Sequence, residues 1–144
     1  MKANNGGIPT TTASTASVDA LRALGVSKIS LATPYPEALT RVQEDFLRVN
    51  GFEVLNSTWI REKTGLSSEI GPDRVYGLAL EANRKESEAV FISCVTLHTV
   101  KLIQALEEDL MKPVITSSQV TMWRLLRLAG VNAKLKGFGQ LFQI

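Results

Sequence analysis

One cysteine, Cys94, and one histidine, His98, are all that the sequence has of the residues on which most metal and thiol chemistry is built. A lone cysteine cannot close an internal disulfide or form a dithiol motif. Cys94 and His98 together are too few for a zinc site, so no metal is expected. A cysteine-phosphatase loop would need arginine at position 100, where Val100 stands. Phosphate-cradling glycine loops are missing as well: no lysine follows Gly6-Gly7, and Gly137-x-Gly139 lies near the end of the sequence. No apolar run approaches the roughly 18 residues of a membrane helix, and the opening residues lack the order of a signal peptide. A net charge of +2 with no basic patch points away from nucleic acid and anionic membranes as partners. The expectation is a soluble cytoplasmic protein with no nucleotide site.

What is present is a regular alternation. The 144 residues suffice for one domain with a real core and are too few for two ordinary ones. Residues 1–13 read as an irregular, Gly- and Thr-rich lead-in. A helix beginning at Ser14 or Ser17 carries Val18, Leu21 and Leu24 and stops at Gly25. A strand over 28–33 is followed by a helix opened near Pro36, with Leu39, Val42, Phe46 and Val49 on one face. The pattern then repeats with a strand over 52–56 and, past an unassigned stretch, a helix opened by Pro72 with Val75, Leu78, Ala79 and Ala82 inward. Residues 89–93 form the most apolar strand, and Leu102, Ile103, Leu106 and Leu110 mark the helix after it. The strand over 113–116 leads to a helix capped by Ser117 or Ser118, with Met122, Leu125, Leu126 and Ala129 before Gly130.

Strands separated by single amphipathic helices run parallel, which predicts an α/β lobe over 14–144 with helices on both faces of the sheet. Ligands of such sheets bind beyond the carboxyl ends of the strands. Thr33-Pro34-Tyr35, Cys94-Val95-Thr96 and Thr116-Ser117-Ser118 all fall there. Placed between a strand end and a helix start, Cys94 is expected to feel the positive helix terminus as a reactive thiol, and the N–H groups of Val95 and Thr96 are positioned to hold a carboxylate or enolate. Each residue also has a plainer reading: Cys94 as a small buried hydrophobe, Tyr35 as a packing residue, Ser117 and Ser118 as helix caps, His98 as a solvent-facing side chain.

The segments PTTTASTASVDALRALGVSKISLATPYPEAL, VFISCVTLHTVKLIQALEEDLMKPVITSSQ and WRLLRLAG resemble, in that order, the second half of maleate cis-trans isomerases and arylmalonate decarboxylases, members of the aspartate/glutamate racemase superfamily. The resemblance implies a Rossmann- or flavodoxin-like lobe and cofactor-independent chemistry on small dicarboxylic acids. It makes Cys94 the second of two active-site cysteines, as proton donor or nucleophile. Tyr35 becomes the hydroxyl that holds the substrate carboxylate, and Val95 supplies a backbone N–H. Where the isomerases carry a substrate-binding Asn, an alignment on PDRVY places Thr64 and one on EIG places Ser67. The first cysteine of the family belongs to an N-terminal lobe, so this chain is expected to supply one wall of a two-walled site. Trp123 is expected to face that lobe or the partner in a homodimer. The alternative reading is a carboxylate-binding module or remnant without catalysis.

Overall fold

The computed structural model describes residues 7–60 and 66–144. It is an α/β lobe: α1 (Ala13–Ala23), β1 (Lys28–Thr33), α2 (Glu37–Val49), β2 (Glu53–Trp59), α3 (Pro72–Ala82), β3 (Ala89–Ile92), α4 (Ile103–Leu110), β4 (Val114–Thr116) and α5 (Ser117–Leu128). The four strands form one parallel sheet in the order β2-β1-β3-β4. Side chains alternate across it, as strand geometry requires. Ile29, Leu31, Phe91 and Ile115 enter one core with α1 and α5, whereas Ala32, Val90, Ile92 and Val114 enter a second core with α3. Leu106 of α4 belongs to that second core, so helices cover both faces as the alternation predicted.

The helix boundaries follow from local chemistry. The Thr12 Oγ1 accepts the Thr15 N–H at 3.1 Å, which starts α1 at Ala13, one residue inside the stretch read as irregular. At its other end Gly25 adopts a left-handed φ of 71°, and the Val26 N–H reaches back to the Leu21 carbonyl. In α5 the cap is neither serine but Thr116, whose Oγ1 accepts the Gln119 N–H while the Gln119 Oε1 accepts the Thr116 N–H. Pro72 opens α3, and Val75, Leu78, Ala79 and Ala82 are all buried, as their spacing required.

Two faces differ from what periodicity suggests. In α2 the apolar residues Leu39, Val42, Phe46 and Val49 lie outward, from 38% to 87% exposed, while Thr40, Glu44 and Leu47 are buried. The polar inward residues are tolerated because each finds partners. Thr40 bonds Thr33 at 2.7 Å, and the Glu44 carboxylate takes Arg41 at 3.0 Å, Arg48 at 3.1 Å and the Ser57 hydroxyl. Trp123 does not face outward. It is 6% exposed and packs in the core beside Val120, with the Arg127 guanidinium 5.6 Å from the ring centre, because α5 lies against α1 on that side. Met122 and Leu125 are the exposed apolar residues of this helix.

The end of the chain, unassigned by periodicity, returns to the core through Leu141 and Phe142, both buried. It is held by the Glu107 carboxylate, which accepts the Gln140 N–H, and by the Gln119 side chain, which donates to the Phe138 carbonyl at 2.6 Å. Among the described residues, no helix is long and apolar enough to cross a membrane.

Candidate active site

At the centre of the sheet β1 and β3 are neighbours. The chain leaves β1 for α2 on one face and leaves β3 for α4 on the other, so a crevice opens above their carboxyl ends. Tyr35 stands at the end of β1 and Cys94 two residues beyond β3. A cavity of about 410 Å³ lies against them, bounded by the start of α1, by Val42, Gln43 and Phe46 of α2, and by Ser93, Val95 and Ser117.

Cys94 is 4% exposed and holds a backbone φ of 152°, a conformation rarely taken by a residue with a side chain. Its N–H donates to the Ser117 Oγ at 3.1 Å. Ser117 therefore fixes the strained loop, a role that its reading as a cap missed; the signal was there in two hydroxyl residues directly after the last strand. The sulfur has Thr96 Oγ1 at 3.1 Å and Ser67 Oγ at 3.6 Å, and it also meets the Tyr35 hydroxyl and the Thr96 N–H. Burial pushes the thiol up, but the hydrogen bonds it shares with Thr96, Tyr35 and Ser67 outweigh it and hold Cys94 below the ordinary cysteine value. Tyr35 is pushed up to about 12, first by burial and then by its bond to Cys94 and that group's charge, so it stays a donor at neutral pH.

The source of this environment differs from the expected one. Residues 95–102 form turns and irregular chain, and α4 begins only at Ile103, so no helix N-terminus faces Cys94 from its own loop. Hydroxyl groups replace the helix dipole. Val95 is 53% exposed and lines the cavity; Thr96 is exposed but turns its hydroxyl to the sulfur. Of the two alignments for the substrate-binding position, Ser67 reaches the site, and Thr64 lies outside the described residues. His98 does not line this cavity.

A residue that periodicity did not single out is Gln43. Its Oε1 is buried without a hydrogen-bond partner and it lines the cavity, a site for a donor on a bound molecule. Among the described residues no Lys or Arg lines the cavity, and no cluster of His, Cys, Asp and Glu could hold a metal. A bound carboxylate would meet neutral O–H and N–H donors here, and a buried thiol poised to exchange a proton.

Comparison with known proteins identifies the relatives of this lobe. The family profile of arylmalonate decarboxylase matches residues 1–142. The chain is 34% identical to the arylmalonate decarboxylase of Bordetella bronchiseptica, over 94% of this chain and 58% of that protein. It is 28% identical to the maleate isomerase of Alcaligenes faecalis, over 98% and 56% respectively. A crystal structure of arylmalonate decarboxylase superposes with a TM-score of 0.88 at 32% identity, covering 95% of this chain and 62% of that one. A maleate isomerase from Pseudomonas putida, solved with maleate, superposes with a TM-score of 0.87 at 26% identity, covering 93% and 54%. The chain thus spans a little over half the length of these relatives, and over that length it belongs to the arylmalonate decarboxylase family, to which the maleate isomerases are akin within the aspartate/glutamate racemase superfamily.

Proposed function

We propose that this chain carries the proton-transfer half of a cofactor-independent isomerase, racemase or decarboxylase acting on a small dicarboxylic acid. The observation that carries the reading is the buried Cys94 thiol ringed by Tyr35, Ser67 and Thr96 at the carboxyl edge of the sheet. In a decarboxylation the bond from carbon to the departing carboxylate breaks and its electron pair passes to an enolate. Tyr35 and the Val95 N–H stabilise the charge on the remaining carboxylate. The Cys94 S–H then gives its proton to carbon and becomes a thiolate, which the surrounding hydroxyls hold. In an isomerisation the same sulfur would act as thiolate, adding to a double bond and leaving after rotation. The opposite wall of the site is assigned to an N-terminal lobe of the kind the relatives' greater length allows, or to a second copy of this chain. The greater length of the relatives and the outward apolar face of α2 beside the cavity support that part of the reading.

The test is exchange and turnover on a panel of dicarboxylic acids in D₂O, monitored by NMR, for the wild type and Cys94→Ala. Wild type is expected to incorporate deuterium beside the carboxylate, or to convert the acid, at least a hundredfold faster than the variant. Equal rates for the two proteins on every acid would leave a carboxylate-binding module without catalysis.

A further inference from the structure

The thiol has two hydroxyl neighbours that also touch each other. The Thr96 Oγ1 lies 3.1 Å from the Cys94 sulfur and 2.7 Å from the Ser67 Oγ, whereas Ser67 is 3.6 Å from the sulfur. Two hydroxyls have two protons between them, and one of these is taken by the short contact between the oxygens. Both hydroxyls reach the sulfur, but the distances rank them: Thr96 is its nearer partner, and Ser67, with one proton to give, makes its shorter contact with Thr96.

We propose that Ser67 and Thr96 are coupled positioning residues for Cys94, a two-step donor chain whose direction follows the charge on the sulfur. The proposal rests on Cys94 being the reacting group of the site. When the sulfur is a thiolate, Ser67 donates to Thr96 and Thr96 donates to sulfur, each bond polarising the next. When it is a thiol, the S–H donates to Thr96 and Thr96 donates to Ser67. In both states Thr96 donates one hydrogen bond and accepts one, so the loss or gain of the proton requires only two hydroxyl rotations and no movement of the backbone. The donor chain also ties two connections into one unit. Ser67 comes from the β2–α3 segment, while Cys94 and Thr96 come from the β3–α4 segment, whose backbone is pinned by Ser117 of α5.

The single cysteine makes this testable without any substrate. The rate of alkylation of Cys94 by iodoacetamide, followed by mass spectrometry across pH, gives the titration midpoint of one known group. Thr96→Val is expected to raise the midpoint by about one unit, and Thr96→Ser to restore it. Ser67→Ala is expected to raise it by a smaller step that disappears when the change is made in the Thr96→Val protein. An unshifted midpoint in Thr96→Val, with circular dichroism and melting temperature unchanged, would overturn the proposal. So would a Ser67→Ala shift of the same size in both backgrounds, which would mean that Ser67 addresses the sulfur directly. A protein inert toward every acid but showing the predicted midpoints would sink the catalytic reading and leave the donor chain standing.

Discussion

The carboxylate of Glu44 sits on the inward face of a helix whose apolar side points to water, and neutralising it tests whether that inversion is real. Its side chain is 2% exposed and is held by Arg41, Arg48 and the Ser57 hydroxyl. In Glu44→Gln the shape is kept and the charge is lost. A hydrogen bond to a charged group contributes roughly 1.5–3 kcal/mol, and ion pairs with arginines that are half exposed add a few tenths to about 1 kcal/mol each. Relief of the buried charge offsets part of this, leaving a net loss of about 1–2 kcal/mol. For a chain of this size that lowers the melting temperature by about 3–8 °C at pH 7. The pH dependence fixes the cause. Burial opposes the charge, but Ser57 and the two arginines hold Glu44 below the ordinary carboxylate range. A carboxylate with a depressed folded value contributes stability above its unfolded value, and this is lost as the pH falls through the folded one. The gap between wild type and variant, measured by calorimetry, should therefore narrow once the pH drops below about 4.5. Equal melting temperatures at pH 7, or a gap that does not change on acidification, would refute the assignment.

The same helix provides a second comparison: Leu47→Ala, on the buried face, should cost about 2–4 kcal/mol, whereas Val42→Ser and Phe46→Ser should each change stability by no more than about 0.5 kcal/mol, as read by urea titration. Reversal of that order would restore the face that periodicity favours. For Tyr35, replacement by Phe removes a donor from the thiolate, so the alkylation midpoint of Cys94 should rise while the melting temperature holds. A midpoint that stays put would confine Tyr35 to packing.

Most of the architecture was legible because burial and period agreed. β1 over Lys28–Thr33, the inward residues of α3 and the parallel direction of the strands all follow from apolar spacing and crossover length. The pattern was ambiguous where a helix has partners for polar residues on its inner side. Nothing in the spacing of Leu39, Val42, Phe46 and Val49 shows that Thr33 and Ser57 wait on the sheet to satisfy Thr40 and Glu44. Trp123 was misplaced for a related reason: which side of α5 is inward depends on α1, over a hundred residues earlier in the chain. In the site, Cys94 and Tyr35 could be placed from strand ends alone, since the edge of a parallel sheet is where such residues gather. Ser67 was reached only through the resemblance, as one of two alignments, because it sits in a connection with no regular pattern; Gln43 and the role of Ser117 required the fold, because both have ordinary helical explanations.

The central pairing of β1 with β3 has a consequence for how the lobe assembles. Ile29 lies opposite Ala89, so the chain must close a loop of some sixty residues before that ladder exists. Such a closure is slow compared with helix formation, because its entropy is lost before any contact compensates for it. Until it happens, Tyr35, Ser67 and Cys94 are strangers, and the thiol is an ordinary exposed one. Afterwards it is buried among hydroxyls. With no other cysteine to confuse the signal, pulsed labelling of Cys94 during refolding serves as a clock for the closing of the sheet.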